Sequence, residues 1–183
     1  RNSTSECMAQ IIKDLDEAIS CLPDSYDDKG YGRIDKGAAM AFKGRVLMFY
    51  ASPMFNPDND ASRWETAYNA NKAALDYLIV HGKGLYKGDF ADIWYDEQNC
   101  EAIMVNQFYY PDHVFEQNAI RPEPLTGGMA NHNQAILPLL MAFPKADGTK
   151  LELDVNRLSD PIYNQQFMTD FYTNRDPRFH ATI

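Results

Sequence analysis

The sequence predicts a mainly α-helical fold, and three segments in its first half carry that prediction. One has an apolar stripe at helical spacing behind a capping signal. The second is apolar on almost every face. The third is a capped stripe closed by a glycine. In the first, Ser3 and Glu6 have capping-box spacing, and Met8, Ile11, Ile12, Leu15, Ala18, Ile19 and Leu22 fall on one face. Pro23 stops this helix, and the Asp-, Gly- and Tyr-rich stretch from Asp24 to Gly32 reads as a solvated loop. The second helix starts near Asp35, a good N-cap, and runs to about Ala51. It is interrupted mainly by Lys43, Gly44 and Arg45, so it is expected to lie between neighbours, with the alanines and Gly44 permitting close approach. Ser52-Pro53 ends it, because the residue before a proline is pushed out of the α region. For the third, Ser62 and Glu65 supply a capping box. Trp64, Ala67, Tyr68, Ala74, Leu75 and Leu78 form its stripe, and Gly82 suits the position after the last turn.

Two successive helices with small residues on facing sides resemble a tetratricopeptide-type hairpin. The standard repeat consensus is not matched, and no second copy recurs at a fixed period. Residues 1–82 are therefore expected to form a tetratricopeptide-like helical scaffold. Residues 83–183 are expected to form an irregular, loop-rich segment with short helices, part of the same larger domain. Within it, Tyr86 to Tyr95 is aromatic and acidic, and Glu101 to Tyr110 reads as a short strand or a buried helical segment. Pro111 to Asn133 is a long polar loop containing Gly127-Gly128, of a length that usually signals function or disorder. A short helix is expected within Gln134 to Phe143, limited by Pro138, then a turn at Asp147-Gly148 and a helix over Ile162 to Tyr172. Asp176-Pro177 breaks that helix, and Ala181-Thr182-Ile183 reads as the start of another element.

Charge and composition exclude several functions. A net charge of −9 leaves no basic patch for phosphate counterion release, so nucleic acid is not an expected partner. An anionic membrane surface would repel the chain, and no apolar run approaches the roughly 18 residues of a spanning helix. The opening Arg1-Asn2-Ser3 carries no visible signal peptide. Cys7 and Cys21 share one predicted helix, roughly 21 Å apart along its axis, too far for a disulfide. Cys100 reads as a small buried hydrophobe, and none of the three cysteines forms a CxxC pair. Gly30-Tyr31-Gly32 opens a dinucleotide-like pattern, but Asp35 stands at its last position and no βαβ pattern surrounds it. Asp58-Asn59-Asp60 opens like a calcium loop, yet Arg63 and Asn69 occupy the obligatory Gly and Glu positions. His81, His113, His132 and His180 lack ligand spacing, so no metal and no cofactor is expected. The dense acids Asp89, Asp92, Asp96, Glu97 and Glu101 could supply a glycosidase pair, which needs carboxyls roughly 5 to 9.5 Å apart. The expectation is instead solvated loop charges, with no catalytic residue. An aromatic content of 13% is on the rich side, and it suits either a packed core or a sugar-binding surface, where a sugar's C–H face stacks on Tyr or Trp; composition does not separate the two.

The most specific signal is the run from Gly32 to Asn56, GRIDKGAAMAFKGRVLMFYASPMFN, followed by Trp64, Ala67 and Ala70. It resembles the SusD/RagB family stretch in which a G-R-(I/V)-(T/S)-K-G-A-A-like helix ends in A-S-P-x-F-N and precedes a W-x-x-A-x-x-A helix. Upstream, Asp14, Leu15, Ala18, Ile19, Leu22 and Pro23 match the family's I-x-x-D-L-x-x-A-I-x-x-L-P helix. Downstream, Asn99 to Ile103 resembles N-x-E-x-I. Gly127-Gly128 with Phe143, Asp147 and Gly148 resembles its double-glycine and D-G region, and Arg175 to Ile183 resembles R-D-P-R-(F/L)-x-A-T-I. Two positions depart: His132-Asn133-Gln134 stands where Pro-Thr-Gln is common, and Met141 where Asp is common.

The resemblance implies a SusD-like fold, with tetratricopeptide-like helix pairs supporting an irregular binding region. It implies a non-catalytic outer-membrane lipoprotein that captures polysaccharide or oligosaccharide at the cell surface and works with a SusC-like TonB-dependent transporter. Family proteins are longer and lipidated at an N-terminal cysteine, so this chain is expected to be an internal fragment that meets the membrane only through an anchor outside it. Motif residues then become structural: Trp64 an anchor between helices, and Arg175, Asp176 and Arg178 pins made of charge-assisted hydrogen bonds. Ligand contacts are expected from the loop instead, with Tyr109, Tyr110 and Phe115 stacking on sugar faces and Asn131 and His132 donating to hydroxyls. Peptide or glycoprotein capture within the family, a tetratricopeptide-like protein-interaction module and a glycoside hydrolase are the alternatives.

Overall fold

A computed structural model describes residues 2–115 and 135–183, and the described chain is mainly helical. Its helices are α1 (Thr4–Cys21), α2 (Lys36–Ala51), α3 (Ala61–Val80), α4 (Leu137–Ala142), α5 (Pro161–Tyr172) and α6 (Pro177–Thr182). Short 3-10 turns cover Asp28–Gly30, Phe90–Trp94 and Val155–Arg157. Among the described residues, strand pairing is limited to two isolated antiparallel bridges, Tyr109 with His113 and Lys145 with Arg175. The chain divides into two compact units: Arg1–Lys87 with Asp96–Gln107, and Gly88–Tyr95 with Phe108–Ile183.

The first unit is built on α2. Its neighbour α1 starts with the expected capping box, Ser3 N–H donating to Glu6 Oε2 at 2.7 Å and Glu6 N–H to Ser3 Oγ at 3.3 Å. Lys43 Nζ reaches back from α2 to Asp16 on α1 at 2.5 Å. On its other side α2 packs against α3 through small residues: Gly37, Ala38, Ala39, Gly44 and Ala51 are buried, as are Ala67, Ala74 and Leu78 opposite. Gly37 faces Leu78 and Gly44 faces Asn71, so the two helices run antiparallel. Contact is close enough that a Cβ on Gly44 would lie 2.6 Å from Asn71 Oδ1. Asn71 Nδ2 uses that proximity, donating to Gly44 O at 3.0 Å and Ala67 O at 2.8 Å. The close approach expected at Gly44 is therefore real, and a side-chain amide bridges it.

Asn56, the last residue of the long motif, is 4% exposed and organises the turn from α2 to α3. Its amide donates to Ala51 O and Asp60 O, and its oxygen accepts from Asp60 N–H at 2.8 Å. This fixes Asp60 as the N-cap of α3, its carboxylate accepting from Ser62 N–H at 2.9 Å. The capping box expected at Ser62 and Glu65 does not form, because the N-cap is Asp60, two residues before Ser62. At the other end Gly82 adopts φ +82°, with Gly82 N–H donating to Ile79 O and Lys83 N–H to Leu78 O. That is the paired-bond pattern of a glycine-terminated helix.

Residues 101–110 form neither the strand nor the helical segment considered from the sequence. Their backbone is claimed locally: Asn99 Oδ1 accepts from Glu101 and Ala102 N–H, while Lys83 Nζ donates to Ala102 O at 2.6 Å. The cysteines are free, Cys7 and Cys21 exposed and Cys100 partly buried.

The second unit has an aromatic core of Leu151, Phe171 and Phe179, with Leu140, Met141, Phe143 and Phe167 around it. Phe179 meets Phe143 and Phe171 edge-on at 5.8 and 6.1 Å. Pro138 stands in the first turn of α4, where its missing N–H costs nothing, so it opens this helix rather than limiting it. Asp160 caps α5 through Ile162 and Tyr163 N–H, and Asp176 caps α6 through Arg178 N–H. Gly148 turns the chain at φ +84°, at the turn expected there.

Candidate functional site

Among the described residues of the second unit, Arg175 is the most deeply buried charged group, 3% exposed. Its guanidinium donates to Phe171 O at 2.6 Å, Leu140 O at 2.6 Å and Phe143 O at 2.9 Å, and lies 4.3 Å from the Phe179 ring centroid. Burial pushes its pKa down, and Nε has no partner. Asp176 pairs with Arg178 at 2.6 Å while capping α6. These residues therefore tie helix ends together, in the structural role expected of them.

The sequence-predicted ligand residues fall in two groups. Tyr109, Tyr110 and Phe115 lie in the described segment, whereas Asn131 and His132 lie outside the described residues. Phe108 to Phe115 is a tight turn. Tyr109 N–H donates to His113 O at 2.6 Å, His113 N–H returns to Tyr109 O at 3.0 Å, and the Tyr110–Pro111 peptide is cis. Phe108 stacks nearly parallel on the His113 ring at 5.0 Å and meets Phe115 at 5.3 Å. Closing the turn with two backbone bonds leaves its tip side chains in solvent: Tyr110 is 89% exposed and Tyr109 60%. Phe115 is 52% exposed and meets Phe108 on one side. Asp112 sits at the same tip, exposed.

Two rings that sequence reasoning did not select stand out in the same unit. Trp94 is 74% and Tyr95 85% exposed at the end of the 3-10 turn Phe90–Trp94, beside the exposed Asp89 and Asp92. The signal was present in the aromatic and acidic texture of Tyr86 to Tyr95. Exposure, which separates a platform from a core ring, was not.

Trp64 is also not the buried anchor expected from its motif. It is 40% exposed, donates from its indole N–H to Asn59 Oδ1 at 3.0 Å, and lines an open hollow of about 660 Å³ in the first unit. Met8, Ile11, Phe42, Val46 and Phe49 line the same hollow. The surrounding helices are too rich in apolar side chains for one another to cover, as the all-round apolar pattern of α2 foretold.

Asp60, Asp160 and Asp176 are all held below the ordinary carboxylate range, Asp176 at about 2, by hydrogen bonds at helix starts and neighbouring side chains. Among the described residues no three His, Cys, Asp or Glu side chains gather as a metal site, and no helix is long and apolar enough to cross a membrane.

No family model matches the chain, and no curated protein does. Among solved structures, the chain is similar to a SusD-like protein from Bacteroides fragilis, with a TM-score of 0.71 and 25% identity. The match covers 99% of this chain and 34% of that one, so the chain spans about a third of its length. The ordered motifs and the fold agree: the chain has a SusD-like fold.

Proposed function

We propose that the chain is part of a non-catalytic cell-surface protein that captures polysaccharide or oligosaccharide and passes it to a SusC-like TonB-dependent transporter in the outer membrane. The protein would be held at that surface by a lipid anchor outside these residues. The observation that carries the reading is the exposed aromatic turn Phe108–Phe115 on a SusD-like scaffold. A pyranose presents an apolar C–H face and a rim of hydroxyls, so it needs a flat ring with polar groups beside it. Tyr109 and Tyr110 offer rings and phenol hydroxyls, and Asp112 offers acceptors at the same tip. Phe115 extends the platform through Phe108, and Asn131 and His132 are proposed as donors to sugar hydroxyls. Residues 1–82 serve as the scaffold and 83–183 as the binding segment of one larger domain.

Affinity electrophoresis of the full-length protein through gels containing a panel of polysaccharides tests this. Retardation without release of reducing sugar is expected, and Tyr110→Ala should weaken it roughly fivefold, about 1 kcal/mol for one stacked ring. Release of reducing sugar would refute the non-catalytic claim. Absence of retardation on every glycan would instead point to peptide or protein ligands.

A further inference from the structure

We infer that the aromatic surface of the second unit is built for uncharged glycan and selects against chains bearing uronate or sulfate, an inference that rests on the glycan-capture reading above. It comes from the charge pattern around the exposed rings. The two segments that expose Trp94, Tyr95, Tyr109 and Tyr110 are Gly88–Tyr95 and Phe108–Phe115. They contain Asp89, Asp92 and Asp112, all exposed, and neither a lysine nor an arginine.

Recognition of a carboxylate or sulfate ester uses guanidinium or ammonium groups, whose charge offsets the cost of stripping water from the anion. The cations described in this unit are mostly committed elsewhere. Arg157 is paired with Asp160 at 3.0 Å, Arg178 with Asp176 at 2.6 Å, and Arg175 is buried on three carbonyls. Lys145 and Lys150 flank the turn at Asp147-Gly148. Lys87 precedes the first aromatic segment, and the sequence of residues 116–134, outside the described residues, contains one cation, Arg121, and two acids, Glu116 and Glu123. His113, the other group of the turn that can carry positive charge, is stacked on Phe108.

Asp112 lies two residues after Tyr110 and Asp92 two residues before Trp94, so a uronate bound at either ring would enter a segment whose only formal charges are negative. Both are like-charge encounters within a few residues of the ring, inside a chain whose net charge is −9. A neutral hexose reverses the sign of the same contact, because its hydroxyls donate to those carboxylates in charge-assisted hydrogen bonds. One set of side chains thus attracts the uncharged sugar and repels the acidic one.

A matched pair of ligands tests this in the full-length protein. The neutral glycan that binds best is oxidised at its primary hydroxyls to the uronate, and both forms are titrated calorimetrically at pH 8. At low salt the oxidised chain should bind about tenfold or more weakly, as expected for two like-charge contacts near a surface. The gap should narrow as salt shortens the screening length. Asp92→Asn combined with Asp112→Asn should recover much of the lost affinity, which a purely steric effect of oxidation would not allow. Equal or tighter binding of the oxidised chain, or retention only of natively acidic glycans, overturns the inference and leaves glycan capture standing. Failure to bind any glycan overturns both.

Discussion

Replacing Arg175 should loosen three helix ends at once. Its guanidinium serves the carbonyls of Leu140 in α4, Phe143 just beyond α4 and Phe171 in α5, and it lies against Phe179 of α6. Arg175→Met keeps a chain of similar reach over Phe171 and Phe179 but removes every donor. A carbonyl stranded in a buried site costs about 1 to 3 kcal/mol. The bonds to Leu140 and Phe143 lie in a partly buried setting, where water can take over, so the low end applies and the three together cost about 3 kcal/mol. Against this stands roughly 1 kcal/mol recovered by no longer burying a guanidinium whose Nε is unpartnered. The net loss is about 2 kcal/mol, a factor of roughly 30 in a local opening equilibrium. Native-state hydrogen exchange at the amides of Arg178 to Ile183 reads it without requiring a two-state melt of the whole chain. Arg175→Lys should fall between, because an ammonium carries charge but cannot span three carbonyls as a fork does. Protection in Arg175→Met within twofold of the parent would refute the assignment of these bonds as the tie.

Three further outcomes follow from the geometry. Asp176 is depressed from an ordinary 3.8 to about 2 by the Arg178 pair and the α6 amide. Its contribution is therefore present above about pH 4 and is lost as pH falls through 2, and Asp176→Asn should abolish that acid loss in exchange measured at α6. Gly44→Ala gains about 1 kcal/mol of helix propensity but displaces the Asn71 amide from two carbonyls at about 1 kcal/mol each, so urea unfolding should show it about 1 kcal/mol less stable. A stabilised variant would mean that Asn71 yields freely. Tyr77 is pushed up to about 12, mainly by burial and secondarily by its bond to Asp24 at 2.7 Å. The stability it contributes is complete below pH 10 and lost through 12, and in Asp24→Asn an NMR titration should find the phenol ionising earlier.

The helical scaffold was legible because its ends are specified locally. Ser3 with Glu6, Asp35, Pro53 and Gly82 each act within a turn of themselves, and each does in the structure what its residue type dictates. The start of α3 was misplaced because Asp60 and Ser62 are both good caps two residues apart. The choice is made by Asn56, whose side chain holds the Asp60 N–H. The run 101–110 was ambiguous for a related reason: its apolar pattern suits a strand or helix, but Asn99 and Lys83 take its backbone groups first. Trp64 and Trp94 show the limit most clearly. One sits in a helical motif that reads as core and is 40% exposed, and the other sits in a stretch that reads only as aromatic and acidic and stands in solvent. Whether a ring is covered depends on partners remote in sequence, and no local pattern encodes it.

Exposed aromatic surface alone does not mark a sugar site, and the two tryptophans allow the distinction to be tested. The hollow around Trp64 is lined by Met, Ile, Val and Phe side chains, with Arg45 and Ser52 as its polar exceptions. A saccharide seated there would leave most of its hydroxyls without partners, at about 1 to 3 kcal/mol for each one desolvated. The segment around Trp94 carries the exposed Asp89 and Asp92, whose carboxylates can accept from a sugar's hydroxyls. A glycan should therefore change the emission of Trp94 and leave that of Trp64 untouched. In the full-length protein the glycan-induced fluorescence change should be unaltered by Trp64→Phe and diminished by Trp94→Phe. The reverse pattern would move the ligand to the helical scaffold and make the apolar hollow, against its chemistry, the binding surface.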